Sequence, residues 1–150
     1  MRLEDLGYNE SLEKFRIEKN LGSFEIGRVI AEHKERYIVR TIKGDFESEI
    51  TGNLRFTAKN REDFPAVGDW VALTTYESDF AVIHRILPRF SVIKRQAVGQ
   101  SGEIQIIATN IDYAFLVQSA DRDFNISRLE MLFDVAMTVF FGIQFRRIGR

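Results

Sequence analysis

Cysteine is absent from this chain of 150 residues, which excludes disulfide bonds and thiolate metal sites. The only two histidines, His33 and His84, stand far apart, whereas metal sites built from histidine place several ligands at short spacing. No apolar run approaches the roughly 18 residues of a membrane-spanning helix. The N-terminus also lacks the basic segment and apolar stretch of a secretory signal. We therefore expect a cytoplasmic protein with no membrane contact.

Motifs for nucleotide chemistry are also missing from the sequence. Neither G-x-x-x-x-G-K-[ST] nor G-x-G-x-x-G occurs, so no phosphate-cradling loop is predicted. No G-x-S-x-G or similar setting marks a nucleophile, so no catalytic residue is assigned. The formal net charge of −1 gives no bulk argument for nucleic-acid binding. We expect neither cofactor nor metal in this chain, and whether it belongs to an enzyme stays open at this point.

Residues 22–96 carry the pattern of an all-β domain, preceded by a polar tail at residues 1–21 with a short, weak helix. The tail is followed by short runs rich in β-branched and aromatic residues, separated by turn signals. A long connection, residues 52–68, lies between the third and fourth runs. This arrangement predicts a five-stranded OB-fold barrel, a mainly β domain. The predicted strands are residues 24–31, 36–42, 46–51, 69–75 and 80–87.

Residues 97–102 have the small-residue composition of a linker, and residues 103–150 have the pattern of the start of an α/β domain. Residues 112–119 are nearly all apolar, which is typical of a strand buried on both faces of a parallel sheet. From residue 126 to 140, apolar residues recur every three or four positions and predict a helix. Asn125, or Ser127 with Glu130, could cap its N-terminus. No pattern for a second parallel strand follows.

Basic side chains provide the candidate nucleic-acid contacts. Residues 81–102 contain no acidic side chain, and further basic residues lie around the first predicted turn and in the long connection. In an OB barrel, these regions flank the usual oligonucleotide-binding face. The alternative is that these cations are solvated charges interleaved with glutamates. The candidate RNA-binding residues are Arg28, Lys34, Arg36, Arg55, Lys59, Arg61, Arg85, Arg89, Lys94 and Arg95.

Five motifs occur in an order that resembles the ribosome small-subunit-dependent GTPases, the circularly permuted GTPases of 30S subunit biogenesis. The resemblance covers about residues 22–144. It implies an N-terminal OB domain that binds the 30S subunit through 16S ribosomal RNA, followed by a GTPase domain with permuted motifs and a zinc-binding segment. The motifs are Gly27-Arg-Val-Ile, Phe64-Pro-Ala-Val-Gly-Asp-Trp-Val-Ala, Ile86-Leu-Pro-Arg-Phe-Ser, Ile107-Ala-Thr-Asn-Ile-Asp and Phe124-Asn-Ile-Ser-Arg-Leu-Glu.

The sequence departs from this family after residue 144, where the strand leading to N-K-x-D is expected and Phe145-Arg-Arg-Ile-Gly-Arg follows instead. GTP, Mg²⁺ and Zn²⁺ are therefore expected only in full-length members. Three hypotheses remain. The chain is the ribosome-binding fragment of such a GTPase, or it represents a GTP hydrolase whose catalytic half lies outside this sequence. The third hypothesis is a stand-alone OB module that binds single-stranded nucleic acid or protein partners and uses residues 103–150 for self-association.

Overall fold

The computed structural model describes residues 1–76, 79–96, 104–115, 117 and 125–139. Along the chain, a short N-terminal helix is followed by a β domain that includes a second short helix, then by a hairpin and a third helix. Their bounds are α1 (Glu10–Glu18), β1 (Glu25–His33), β2 (Arg36–Thr41), β3 (Gly44–Ile50), α2 (Gly52–Thr57), β4 (Trp70–Thr75), β5 (Phe80–Ile86), β6 (Val92–Gln96), β7 (Ile104–Thr109) and α3 (Ile126–Val139).

Strands β1 to β5 close into a barrel in the order β1-β2-β3-β5-β4. All neighbours are antiparallel except β3 and β5, which run parallel with Ile50 opposite Ile83. This closed five-stranded arrangement confirms the predicted OB fold. Alternate residues point into the barrel, where Val39, Leu73 and Ile83 are fully buried. Closing the barrel leaves none of the five strands with an unpaired edge.

Two local features set the shape of the first hairpin. Gly27 lies where a Cβ would meet Cγ1 of Val39 at 2.5 Å, so a residue with a side chain does not fit at this point of β1. At the tip, Lys34 and Glu35 both have positive φ, +49° and +66°. A two-residue type I′ turn requires positive φ at both of these positions. The turn therefore holds the Lys34 side chain at a fixed end of the barrel.

The N-terminal residues pack against the outside of the barrel in a second apolar cluster. Leu12 of α1 and Leu21 are buried there together with Trp70, which is fully inaccessible to solvent. The predicted short helix is present, but residues 1–21 do not form a tail separate from the β domain. The helical pattern of the sequence is weak because α1 buries only one residue, Leu12, while its other residues stay partly or fully exposed.

Strands β6 and β7 form an antiparallel hairpin outside the barrel, with Val92 opposite Thr109. The predicted linker, residues 97–102, lies outside the described residues. The segments on either side of it pair with each other, so β6 does not belong to the barrel domain in which the 22–96 boundary placed it. The sequence pattern missed both strands because each is short and neither alternates clearly between apolar and polar residues.

The prediction of a buried strand at residues 112–119 is wrong for its described part. Residues 112–115 and 117 form no strand, and Tyr113, Phe115 and Val117 are each more than 80% exposed. An apolar run becomes a doubly buried strand only where other elements cover both of its faces, and the described part of the chain places none there. The predicted helix α3 is present, and the Asn125 Oδ1 caps it by accepting from the Arg128 N–H at 3.0 Å.

Among the described residues, no helix is both long enough and apolar enough to cross a membrane.

The packing of α1 generates a stability prediction. We expect Leu12→Ala to lower the free energy of unfolding by about 2–5 kcal/mol, because it opens a cavity beside Trp70. The matched control is Ile17→Ala on the same helix, where the side chain is 67% exposed and the expected change is below about 0.5 kcal/mol. Urea unfolding followed by Trp70 fluorescence measures both. Equal effects of the two substitutions would show that α1 does not pack on the barrel in solution.

Candidate nucleic-acid interface

Asp69 is the centre of a buried polar network at the junction between the barrel and the β6–β7 hairpin. Its carboxylate is fully buried and accepts hydrogen bonds from the guanidinium of Arg89 at 2.8 and 2.6 Å. It also accepts from the Thr109 hydroxyl at 2.6 Å and from the Ala66 N–H at 2.8 Å. Four hydrogen bonds, two of them from a cation, compensate for the cost of removing this carboxylate from water.

The Arg89 guanidinium is therefore occupied inside the protein. Besides its two bonds to Asp69, it donates to the carbonyl oxygens of Glu62 and Phe64 at 2.8 and 2.9 Å. Its side chain is only 17% exposed. Sequence analysis placed Arg89 among the RNA contacts because an acid-free run cannot distinguish a cation that serves a buried carboxylate from one that faces solvent. The structure gives Arg89 a structural role, holding the long connection against β4.

Arg28 has a similar internal position. Its guanidinium donates to the carbonyl oxygens of Leu6, Gly68 and Asn110, and it stacks 5.7 Å above the ring of Trp70. These three carbonyls belong to the N-terminal segment, the loop before β4 and the end of the hairpin. Arg28 thus joins three parts of the chain, and its donors are used within the fold.

Gly68 allows the hairpin to approach the barrel. Its φ is +96°, a conformation that side-chain-bearing residues rarely adopt, and a Cβ there would collide with the carbonyl oxygen of Thr109. The Gly68 carbonyl accepts from the side-chain amide of Asn110 at 3.0 Å, and the Asn110 Oδ1 accepts from the Phe90 N–H at 2.9 Å. We call Gly68, Asp69, Arg89, Thr109 and Asn110 the junction.

Most of the remaining candidate cations gather at the other side of the junction, around a cleft of about 900 Å³. The cleft lies between the first hairpin, the connection that follows α2, and strand β7. Its basic lining residues are Lys34, Lys59 and Arg61, and its apolar lining includes Phe64 and Ile104. We call this region, together with Arg36, Arg55 and Lys94 beside it, the basic end.

The cations of the basic end divide into paired and unpaired groups. Arg55 contacts Glu35 at 2.5 Å, Lys94 contacts Glu62 at 2.5 Å, and Arg36 lies 3.8 Å from Glu49. All six of these side chains are at least 32% exposed, so each pair contributes little to stability. Lys34, Lys59 and Arg61 are exposed and form no ion pair within the described part of the chain.

Three ionisable groups of this region have shifted pKa values. Burial, reinforced by the nearby Glu32 and Glu35 carboxylates, raises the pKa of Tyr37 to about 12. Desolvation raises the pKa of Glu32, with Arg61 opposing the shift and Asp69 adding to it. Hydrogen bonds from the Lys59 and Asn60 N–H groups lower the pKa of Asp63. The Glu32 carboxylate is thus the one whose charge the cleft tends to suppress.

The outer face of strands β2 and β3, a common oligonucleotide platform of OB folds, is a less suitable nucleic-acid surface in this protein. Asp45, Glu47 and Glu49 all point outward along β3 and are exposed. Arg40 on β2 is held by Asp45 in a bidentate ion pair, with both distances 2.7 Å. A row of carboxylates repels phosphate, so the charge pattern favours the basic end over this face.

The other candidates have different positions. Arg85 is exposed on β5 opposite Ala72 and does not line the cleft. The side chain of Arg95 lies outside the described residues. Phe56 is 90% exposed on α2, next to Arg55. Tyr37 is buried in the barrel and cannot stack on a base.

The described residues do not fit the cofactors that the family resemblance implies. Among them, no group of three or more His, Asp or Glu side chains could hold a metal ion. The glycine at the tightest approach, Gly68, packs against Thr109 and does not form part of a phosphate-binding loop. The chemistry available in the described part of the chain is that of cations, exposed aromatics and a cleft.

Comparisons with known proteins place this arrangement in a family. The chain is 41% identical over 130 residues to the small ribosomal subunit biogenesis GTPase RsgA 1 of Oceanobacillus iheyensis, covering 83% of this chain and 37% of that protein. It is 42% identical over 111 residues to RsgA 2 of Lactiplantibacillus plantarum, covering 74% of this chain and 31% of that protein. The chain thus spans about a third of the length of these relatives. No protein-family model matches it.

Solved structures show the same fold. The crystal structure of YloQ, a circularly permuted GTPase, matches with a TM-score of 0.54 at 18% identity, covering 77% of this chain and 37% of that one. YjeQ from Thermotoga maritima matches with a TM-score of 0.53 at 20% identity, covering 76% of this chain and 37% of that one. The class is therefore that of proteins with a closed five-stranded OB barrel. The chain belongs to the small ribosomal subunit biogenesis GTPases and corresponds to their N-terminal part.

The junction predicts a strong contrast between two ion pairs. We expect Arg89→Ala to lower the free energy of unfolding by about 3–5 kcal/mol, because it leaves the buried Asp69 carboxylate without its cation. The matched control is Arg40→Ala, which breaks a similarly short but exposed ion pair and should lower the free energy of unfolding far less. Chemical unfolding at neutral pH measures both. Similar losses in the two variants would contradict the buried network.

Proposed function

We propose that this chain provides the ribosome-binding part of a small ribosomal subunit biogenesis GTPase. In this proposal, the basic end contacts 16S ribosomal RNA on the small subunit in the cytoplasm. The main support is the similarity to proteins of that name over most of the chain. The clustering of six exposed cations at one end of an OB barrel supports the choice of surface.

The basic end is suited to phosphate contact because its charges can be used at low cost. Lys34, Lys59 and Arg61 have no ion partner to lose among the described residues. Arg55 and Lys94 exchange weak surface pairs for phosphate oxygens. If about four to six phosphates are neutralised, log K should fall with log salt concentration with a slope of roughly −3 to −5.

Phe56 complements these cations. A phenylalanine that is 90% exposed contributes nothing to the core, and it lies beside Arg55 at the edge of the basic end. Stacking of an unpaired base on an aromatic ring is worth about 1–3 kcal/mol. We propose that Phe56 contributes such a contact when the RNA presents an unpaired base.

GTP, Mg²⁺ and Zn²⁺ have no place in the proposed function of this chain. We propose that they are held by regions of the relatives that this chain does not span. Under this proposal the chain has no GTP hydrolase activity of its own, and its contribution is to direct the GTPase to the small subunit.

Charge reversal at the basic end tests the proposal. We expect Lys59→Glu with Arg61→Glu to weaken binding to 30S subunits at least tenfold and to reduce the salt slope by about 2, because two phosphate contacts are lost. The matched control reverses Lys14 on α1 and Lys19 directly after it, which are exposed and line no part of the cleft. Co-sedimentation at several salt concentrations measures both. Equal binding by the two double variants would exclude the basic end as the RNA surface.

A second proposal is that residues 103–150 mediate self-association, as in a stand-alone OB module. Its support is a set of exposed apolar side chains, Ile107 on β7 and Tyr113, Phe115 and Val117 after it. We expect the apparent mass in light scattering to rise with concentration, and Phe115→Ser with Val117→Ser to abolish the rise. Phe56→Ser, at an equally exposed aromatic on α2, is the control. A constant monomeric mass at all concentrations would reject this proposal.

A further inference from the structure

We propose that the cleft of the basic end receives one unpaired nucleotide, with its base between the barrel and β7 and its phosphate at Lys59 and Arg61. The proposal rests on the RNA-binding function above and names the part of the RNA that the cleft selects. The same chemistry, a base carrying a phosphate, could come from an RNA loop or from a free nucleotide. We assign it to the RNA loop.

The cleft has the size and the apolar lining that a nucleotide base requires. Its volume of about 900 Å³ lies within the range of roughly 300–1,000 Å³ in which small-molecule sites fall. One part of the lining is apolar, with Phe64, Pro65 and Ala66 from the connection facing Ile104 and Ile106 from β7. Such apolar walls with a polar rim suit a flat base, whereas a paired duplex presents no base that could enter.

The positive side chains around the cleft suit a phosphate. The lining cations and their neighbours Arg55 and Lys94 make five positive side chains against the carboxylates of Glu32, Glu35 and Glu62. Glu35 and Glu62 are each engaged by a cation, and the unpaired cations are therefore available for a phosphate. A nucleotide supplies both the negative phosphate and the apolar base that this combination requires.

Glu32 indicates which base the cleft prefers. It is the one carboxylate of the described cleft lining that forms no ion pair, and its partial desolvation already disfavours the bare anion. A carboxylate accepts hydrogen bonds from exocyclic amino groups, such as N4 of cytosine. Uracil has carbonyl oxygens at the corresponding positions and would be repelled. We infer that the cleft prefers a base with an amino group over uracil.

The position of β7 predicts that nucleotide binding has a measurable effect on the hairpin. One wall of the cleft belongs to the hairpin, which the bonds of Asp69 and Gly68 to Thr109 and Asn110 hold against the barrel. A nucleotide between the two walls binds only when the hairpin is in place, so binding stabilises the hairpin. Amide hydrogens of β7 should therefore exchange more slowly in the complex.

The experiment uses the full chain and two RNAs with the same stem, one closed by a six-nucleotide loop and one a blunt duplex. Fluorescence anisotropy should show that Lys59→Ala and Arg61→Ala each weaken binding to the loop RNA about tenfold, but weaken binding to the duplex much less. Lys14→Ala is the matched control. Wild-type protein should prefer cytosine over uracil at one loop position by about fivefold or more, and Glu32→Gln should remove the preference.

Each of the other possible results of these measurements would contradict a specific claim. Equal losses for loop and duplex would reject the nucleotide cleft while leaving the RNA-binding function intact. A preference that persists in Glu32→Gln, or unchanged exchange of β7 amides, would also reject it. Saturable binding of CMP, UMP or GTP tighter than that of the loop RNA would assign the cleft to a free nucleotide instead. If the wild-type chain binds neither RNA nor 30S subunits, the proposed function fails, and this inference fails with it.

Discussion

The buried ion pair between Asp69 and Arg89 is the constraint on which the arrangement of this protein depends. A carboxylate with no solvent access is tolerated only if its hydrogen bonds are satisfied, and its four hydrogen bonds come from three segments. Arg89 follows β5, Thr109 ends β7, and Ala66 lies in the long connection. Satisfying one charge therefore fixes the positions of three segments relative to β4.

The motifs that carried the family resemblance converge at this place. Three of them, which are far apart in the sequence, contribute Gly68 with Asp69, Arg89, and Thr109 with Asn110. Their side chains contact one another and do not face the cleft. The motif residues in this region are thus the ones that the junction requires in order to form. The cations proposed to contact RNA lie in segments between the motifs, where charge and exposure matter more than geometry.

The barrel could be predicted from the sequence because β2, β3 and β5 alternate residues that face the core with more exposed ones. The hairpin could not, because β6 and β7 are short and pair only with each other, outside the barrel. The predicted strand at residues 112–119 shows the opposite error, since apolar composition does not specify which elements are present to cover it. For the candidate site, sequence located the basic residues but could not separate Arg28 and Arg89, bound to buried acceptors, from Lys59 and Arg61, which face the cleft.

The contact of Gly68 with Thr109 has a consequence for how this surface can vary among sequences. The approach is made by backbone atoms, so it depends on the absence of one carbon atom at position 68. A methyl group at position 68 would push β7 outward and widen the cleft, whatever residues line it. The width of the cleft is therefore set by a residue that does not line it.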